Sequence, residues 1–410
     1  PHPGHGLFDS HVAHWDLAYL ARTPEGGRCG LTDGTMAPMR KSTSMESTLL
    51  SVRLKAQIAR IGPISVERYM DVCLSGAATG YYASKHPIGA AGDFITAPEV
   101  SQVFGERLGL WAYASWQSMG SPQRVVLAEL GPGRGTLMVD ALRALSRLPG
   151  FMDCATVALV ETSPPLRHAQ EEALAGSGAD VSWHDAVETL PQGPLIVIAN
   201  EFIDALPVRQ LIWRESQWRE RCVRIAANGG FEFCDGPSLV VENLQRNAEL
   251  RQLPEGSILE VRPAANAIIA ALGDRGQDSP LTALIIDYGH GTTECGDTLQ
   301  AVSRHKFANP LEAPGNVDLT AHVDFGALKD AARGKGLTAY GPKSQRDLLF
   351  GLGLKTRLEK LCEDAAPEQR EALMAGAERL VDPAAMGVLF KALAITSKDI
   401  PPPPAFEDHA

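Results

Sequence analysis

Apolar positions along the chain change their spacing twice, and each change marks a different kind of element. From Thr48 to about Arg60 they fall at Leu49, Leu50, Val52, Leu54, Ile58 and Ile61, a helical stripe that Gly62-Pro63 ends. Ser65 caps a second predicted helix carrying Val66, Tyr69, Met70, Val72 and Cys73, broken at Gly76 and Gly80-Tyr81-Tyr82. Pro98-Glu99 opens a third, through roughly Gln117, with Val103, Leu108, Trp111 and Trp116 on its apolar positions. From Gln123 onward, short unbroken apolar runs at 125–128, 156–160, 195–199 and 283–286 alternate with helical patterns, clearest at 136–148 and 164–175. Runs of that length suit strands buried on both faces of a mostly parallel sheet between helical layers, which predicts an α/β, doubly wound core.

Two further textures complete the outline. Between Val208 and Arg262 the stretches 209–214, 217–223 and 230–233 read as half-exposed strands with turns, an antiparallel β insertion. After about Phe325 helical patterns return, including 371–381 and 386–395, before a Pro401-Pro402-Pro403-Pro404 tail that cannot continue a helix. The chain is therefore divided into an extension at 1–45, an N-terminal helical cap at 46–120, a core at 121–330 containing the insertion at about 208–262, and a helical C-terminal region at 331–410.

Composition narrows the partners more than the fold. With 410 residues the chain can bury a core without staples, and its net charge of −11, with no dense basic run, argues against nucleic acid as a partner. No apolar stretch approaches the roughly 18 residues of a membrane span. The seven cysteines, Cys29, Cys73, Cys154, Cys222, Cys234, Cys295 and Cys362, are scattered without a C-x-x-C pair, so neither a disulfide framework nor a zinc site is expected, and the compartment is read as reducing. His2, His5, His11 and His14 stand among Gly and Pro without periodicity; the segment is read as a disordered extension or a mis-assigned start upstream of Met45, rather than a metal site.

The strongest chemical signal is Val125-Val126-Leu127-Ala128-Glu129-Leu130-Gly131-Pro132-Gly133-Arg134-Gly135-Thr136-Leu137. A buried strand runs into a glycine turn and then a helix, which lets backbone approach a nucleotide-like ligand and presents helix N-terminal amides to it. A dinucleotide fingerprint needs glycine where Thr136 stands. Glu129 points the same way, because a carboxylate there repels a pyrophosphate and attracts a cationic sulfonium–amino-acid cofactor. Glu161 closes the next strand, where ribose hydroxyls can donate to it. Asp185 follows the expected third strand, either as an acceptor for an adenine amine or as a plain loop acid. Asn200-Glu201-Phe202-Ile203-Asp204-Ala205-Leu206-Pro207 ends the fourth, where open α/β sheets place their reactive crevice. Asn200, Glu201 and Asp204 are the candidate catalytic group; a helix N-cap with Asp204 in its first turn is the competing reading.

These motifs resemble the MidA-like family of S-adenosylmethionine-dependent methyltransferases. The resemblance rests on Gly92-Asp93-Phe94-Ile95-Thr96-Ala97-Pro98-Glu99-Val100-Ser101-Gln102-Val103-Phe104-Gly105-Glu106, on the glycine motif, on the run from Asn200 to Val208, on Asp287-Tyr288-Gly289-His290-Gly291 and on the stretch 315–325. Together they span about 61–358 in family order. The resemblance implies a class I, Rossmann-like methyltransferase fold with S-adenosyl-L-methionine as cofactor. It also implies arginine on a respiratory complex I subunit as acceptor, as in the family's animal mitochondrial members. By motif match Gly131, Gly133 and Gly135 hold the methionine part, Glu161 holds the ribose, and Thr96, Pro98 and Glu99 form a lid. The extension at 1–45 and the tail after about Leu358 depart from the family pattern. The expected compartment is the cytoplasm for a bacterial chain and the mitochondrial matrix for a eukaryotic one.

Methyl transfer from a sulfonium is an in-line displacement, so the protein must hold nucleophile and methyl about 3–3.5 Å apart and exclude water. An arginine acceptor stays protonated at neutral pH, so carboxylates must orient it and draw charge from the attacking nitrogen; Glu201 and Asp204 are assigned that task. The rival readings are a non-catalytic assembly chaperone that retains the cofactor site, and an NAD(P) oxidoreductase, disfavoured by Thr136 and Glu129. Asp287, His290 and His322 stay open between catalysis and structural hydrogen bonding, and a homodimer is left open beside the protein substrate.

Overall fold

The computed structural model describes residues 42–75, 81, 96–239, 253–303 and 306–407. His2, His5, His11, His14, Cys29, the break at Gly76, Gly80 and Tyr82, and the Gly92-Asp93-Phe94-Ile95 part of the family motif lie outside the described residues.

The four short apolar runs form strands of the central sheet as expected, β2 (Val125–Leu130), β3 (Ala155–Val160), β5 (Leu195–Asn200) and β10 (Leu281–His290), and with the half-buried β4 (Val181–His184) they pair in parallel in the order β10-β5-β2-β3-β4. Every residue of β2 and β5 is buried, which is why these runs do not alternate with polar residues. Odd positions of β2, Val125 and Leu127, pack with Phe104, Leu108 and Trp111 of the helix Gln102–Ser118 on one face. Even positions, Val126, Ala128 and Leu130, pack with Ile269 and Leu272 of the helix Pro263–Asp278 and Leu328 of the helix Phe325–Gly334 on the other. This is the two-faced core of a doubly wound fold.

The C-terminal region corrects the expectation of helix over 386–395. Helix persists only over Met386–Leu389, and β16 (Phe390–Thr396) enters the sheet between β10 and β15 (Thr338–Ser344), antiparallel to both. A short apolar run buried on both faces carries no period that separates it from a buried helix, and here strand won. The helices Gln345–Gly351, Leu354–Glu363 and Pro367–Val381 supply the helical part of this region.

A second, antiparallel sheet has the order β1-β7-β6-β9, with β8 on the free side of β7: β1 (Ile64–Ser65), β6 (Arg209–Arg214), β7 (Gln217–Ile225), β8 (Phe231–Ser238) and β9 (Ile258–Val261). It is the antiparallel insertion, and it is not separate from the helical lead-in. Ile64 pairs with Val223, and Leu50, Leu54 and Ile58 of the helix Ser42–Ile61 share a core with Tyr69 and Met70 of the helix Val66–Ser75 and with Val208 and Val223. Strands β11 (Gln300–Ser303), β12 (Lys306–Ala308) and β13 (Asp318–Thr320) form a small third sheet, and β14 (Val323–Asp324) joins β10.

The third expected helix is broken. Helix Ala97–Val100 stops at Ser101, whose extended backbone (φ −158°, ψ 129°) and hydroxyl cap the next helix by accepting from the Val103 amide at 3.4 Å. The break turns Thr96, Pro98 and Glu99 toward the carboxyl ends of the parallel strands.

Candidate active site

The first parallel strand, β2, leads directly into the glycine loop. Gly131, Gly133 and Gly135 have φ of 64°, 56° and 83°, the left-handed region that glycine enters without cost. At Gly131 there is a second demand, since a Cβ would stand 2.5 Å from Phe202 Cδ2. Gly135 precedes the helix Thr136–Leu145, so the loop delivers that helix's first amides to the strand ends.

At these strand ends a cleft of about 260 Å³ opens. Of the residues expected to hold cofactor, Thr96, Pro98, Glu99, Glu129, Gly131, Gly133 and Glu161 line it; of the expected catalytic group, Asn200 and Glu201 do. Gly135, Asp185 and Asp204 do not line it. Asp185 sits outside, with its side chain 81% exposed and its Oδ1 accepting from Arg167 Nη2 at 2.6 Å. Asp204 is buried behind the wall, its Oδ2 accepting from the Tyr288 hydroxyl at 2.6 Å.

Glu161 is held rather than loose. Its Oε1 accepts the Ser163 amide at 2.8 Å and its Oε2 the Gln170 amide group at 3.3 Å, while burial pushes its carboxyl above the ordinary range against those bonds. Gln170 was not foreseen. It also donates to the Gly133 carbonyl at 2.7 Å and accepts from Trp183 Nε1 at 2.9 Å, tying the glycine loop, Glu161 and β4 together. Its signal was available: in the helix Pro164–Leu174 the buried positions are Leu166, Gln170 and Leu174, one polar residue in an apolar stripe.

The segment expected to form a lid is fastened at two points. The Ala97 amide donates to Glu201 Oε1 at 2.8 Å, and the Thr136 hydroxyl donates to Glu99 Oε1 at 2.6 Å. Glu201 leaves β5 with a left-handed φ of 48° and donates its own amide to the Ile286 carbonyl at 2.9 Å. Asn200 Nδ2 also reaches Glu201 Oε1, at 3.3 Å. Burial pushes the Glu201 carboxyl up to about 7, opposed by the Ala97 amide and reinforced by the charge of Asp204.

Asp287 resolves as a structural acceptor for the turn after Glu201, taking the amides of Ile203 and Asp204 at 3.0 and 3.1 Å. His290 and His322 do not line the cleft. The ring of His322 packs edge-on to Tyr288, and burial lowers its imidazole to about 4.

The chemistry of this donor set fits the expected cofactor. Glu129 is fully buried, burial alone pushes its carboxyl up to about 8, and its Oε2 has no hydrogen-bond partner within the protein. A buried carboxylate facing a cleft without a partner is completed by a cation, which the sulfonium and ammonium of S-adenosylmethionine both supply. Beside it Gly131 and Gly133 line the cleft with backbone alone.

Comparison with known proteins agrees. A profile of a family described as S-adenosyl-L-methionine-dependent methyltransferase matches residues 107–343. The mitochondrial protein arginine methyltransferase NDUFAF7 of Homo sapiens is 36% identical over 368 residues, 83% of this chain and 82% of that protein. The NDUFAF7 homolog of Drosophila melanogaster is 37% identical over 370 residues, 84% of each. A crystal structure of a Burkholderia thailandensis protein bound to S-adenosyl-homocysteine matches with a TM-score of 0.78 at 30% identity, covering 90% of this chain and 97% of that one. Fold and cleft thus define a class I S-adenosylmethionine-dependent methyltransferase. The chain belongs to the MidA-like family of these enzymes, to which its sequence motifs had pointed.

Proposed function

We propose that this methyltransferase modifies arginine on a protein substrate, a respiratory complex I subunit, in the mitochondrial matrix if the chain is eukaryotic and in the cytoplasm if it is bacterial. The observation that carries the reading is the acidic lining of the cleft: among the described residues Asp71, Glu99, Glu129, Glu161 and Glu201 line it, with Arg134 the one basic residue beside them. A cationic donor and a guanidinium acceptor both gain from such a field. The arginine methyltransferases among the relatives favour this acceptor. No helix among the described residues is long and apolar enough to cross a membrane.

Bound cofactor supplies an electrophilic methyl group on sulfur. The chain does the rest: Gly131 and Gly133 cradle the methionine part, Glu129 neutralises its positive charge, and Glu161 accepts from the ribose. Thr96, Pro98 and Glu99 close over it. Asn200 and Glu201 face the acceptor; the Glu201 carboxylate draws the guanidinium charge away from the attacking nitrogen and fixes its direction. Asp204, turned toward Tyr288, acts from behind the loop.

The test is label transfer from S-adenosylmethionine with a tritiated methyl group to purified complex I subunits, read by mass spectrometry. Methylarginine is the expected product. Label on another residue type would overturn the acceptor, and cofactor binding with no labelled protein would favour a chaperone that keeps the site for assembly.

A further inference from the structure

Two buried side chains, a carboxyl group and a guanidinium, grip the turn that carries Glu201. β10 runs parallel to β5 with Ile286 opposite Asn200, so the next residue of β10, Asp287, stands beside the point where the chain leaves β5. The chain folds back onto that carboxylate: Asp287 Oδ2 accepts the Ile203 and Asp204 amides at 3.0 and 3.1 Å, and its Oδ1 accepts the Tyr288 amide at 3.0 Å. Arg262, immediately before the helix Pro263–Asp278, takes the carbonyl side. Its Nη2 donates to the Asp204 carbonyl at 3.3 Å and its Nε to that of Leu206 at 3.1 Å. The same guanidinium anchors itself to the Ala321 and His322 carbonyls at 2.9 and 3.2 Å.

One carboxyl group thus holds the turn's amides while one guanidinium holds its carbonyls, so the turn is gripped from both sides by hydrogen bonds away from water. The turn has a reason to need this. Glu201 occupies a left-handed φ of 48°, a conformation that a non-glycine residue keeps only where its surroundings over-determine it. Neither Asp287 nor Arg262 lines the cleft, so neither touches donor or acceptor.

We propose that Asp287 and Arg262 are positioning residues for methyl transfer, fixing the 201–206 turn so that the Glu201 carboxylate stays aligned with the acceptor and with the Ala97 amide. The proposal rests on the reading of Glu201 as the acceptor-orienting carboxylate.

The test uses full-length Asp287→Asn and Arg262→Lys, each measured three ways: S-adenosyl-homocysteine affinity by calorimetry, steady-state transfer to purified complex I subunits, and hydrogen–deuterium exchange at the Ala97 amide. Ala97 touches neither substituted residue but reports where the Glu201 carboxylate is. Expected are affinity and donor KM within about threefold of wild type and kcat down about a hundredfold, the penalty of displacing a reacting group by about 1 Å. Ala97 exchange should accelerate about tenfold, as for one weakened hydrogen bond. Unchanged exchange, or faster exchange with unchanged kcat, overturns the proposal. If neither variant folds, the pair belongs to global stability and the proposal is likewise overturned. Should the wild-type protein label no arginine, the arginine reading fails by itself, and Ala97 exchange alone decides the positioning role.

Discussion

The Glu201 carboxylate accepts the backbone amide of Ala97 at 2.8 Å, so the side chain proposed to orient the acceptor also fastens the segment proposed as the lid. Oε1 is the oxygen committed to that bond, and it also accepts from Asn200 Nδ2 at 3.3 Å. On that proposal, closure over the donor and orientation of the acceptor are coupled, because lifting Ala97–Val100 would take a hydrogen bond from Glu201.

Replacing Glu201 by Gln separates the two tasks. A glutamine oxygen still accepts from Ala97, so S-adenosyl-homocysteine affinity should stay within about threefold, while loss of the charge should cut kcat about a hundredfold or more. Burial pushes the Glu201 carboxyl up to about 7, and the proposed role requires its ionised form. Wild-type kcat should then rise with pH and level off above about 7, and that limb should vanish in Glu201→Gln. Wild-type turnover in the variant would remove the assigned role.

Glu129 predicts a proton leaving when donor binds. Its carboxyl, pushed up to about 8 by burial, is largely protonated at pH 7 without ligand, and an adjacent cation favours the ionised form. Binding of S-adenosylmethionine at pH 7 should release a proton, seen as a calorimetric enthalpy that varies with the ionisation enthalpy of the buffer, and Glu129→Gln should abolish the variation. The same shift has a sign for stability. The folded-state value lies above the ordinary 4.5, so Glu129 contributes stability that is fully present below that pH and lost as pH rises through about 8. Without ligand the thermal midpoint should fall over that window, less so in Glu129→Gln.

The stretch from Glu129 to Gly135 was legible because everything it needs is contiguous: a strand, a loop of glycines and a helix start, each with its own residue signature. The parallel core was legible for the same reason. β16 was not, since Phe390–Thr396 is as apolar as a buried helical face and only its neighbours, β10 and β15, decide its conformation. The polar framework of the site was hidden by distance along the chain. Gln170 reaches Gly133 across 37 positions, Arg262 reaches Asp204 across 58, and Asp287 reaches Ile203 across 84. Asp204 illustrates the limit: its spacing from Glu201 suggested convergence on one cleft, but the left-handed turn at Glu201 sends it to Tyr288 instead.

Gly131→Ala should fail twice over. The backbone stands at φ 64°, and the new methyl would lie 2.5 Å from Phe202 Cδ2, so either the loop or the Phe202 ring must move. A strained residue of this kind costs about 1–3 kcal/mol, and the movement occurs at the wall of the cleft itself. Chemical denaturation should show the loss of stability, and S-adenosyl-homocysteine affinity should fall with it. A variant with wild-type affinity would mean that the loop does not cradle the cofactor.

Gln170 and Asp185 make a paired prediction, because position along the sequence and position in the fold rank them oppositely. Asp185 stands where an adenine-binding acid is expected, yet its side chain is 81% exposed and engaged by Arg167 outside the cleft. Asp185→Asn should therefore change stability by no more than about 0.5 kcal/mol, as exposed substitutions do. S-adenosyl-homocysteine affinity should move less than about twofold, well under the tenfold that 1.4 kcal/mol would bring. Gln170 lies behind the wall, but Gln170→Leu leaves the Trp183 indole N–H and the Gly133 carbonyl without the partner they share and frees one oxygen of Glu161. An orphaned buried polar group costs about 1–3 kcal/mol, so stability should drop by that order. Because the loop and the ribose-facing carboxylate both lose their anchor, affinity should weaken about tenfold. The reverse ranking, with Asp185→Asn weakening binding and Gln170→Leu not, would place the adenine against Arg167 and Asp185 and show that the glycine loop keeps its shape without Gln170.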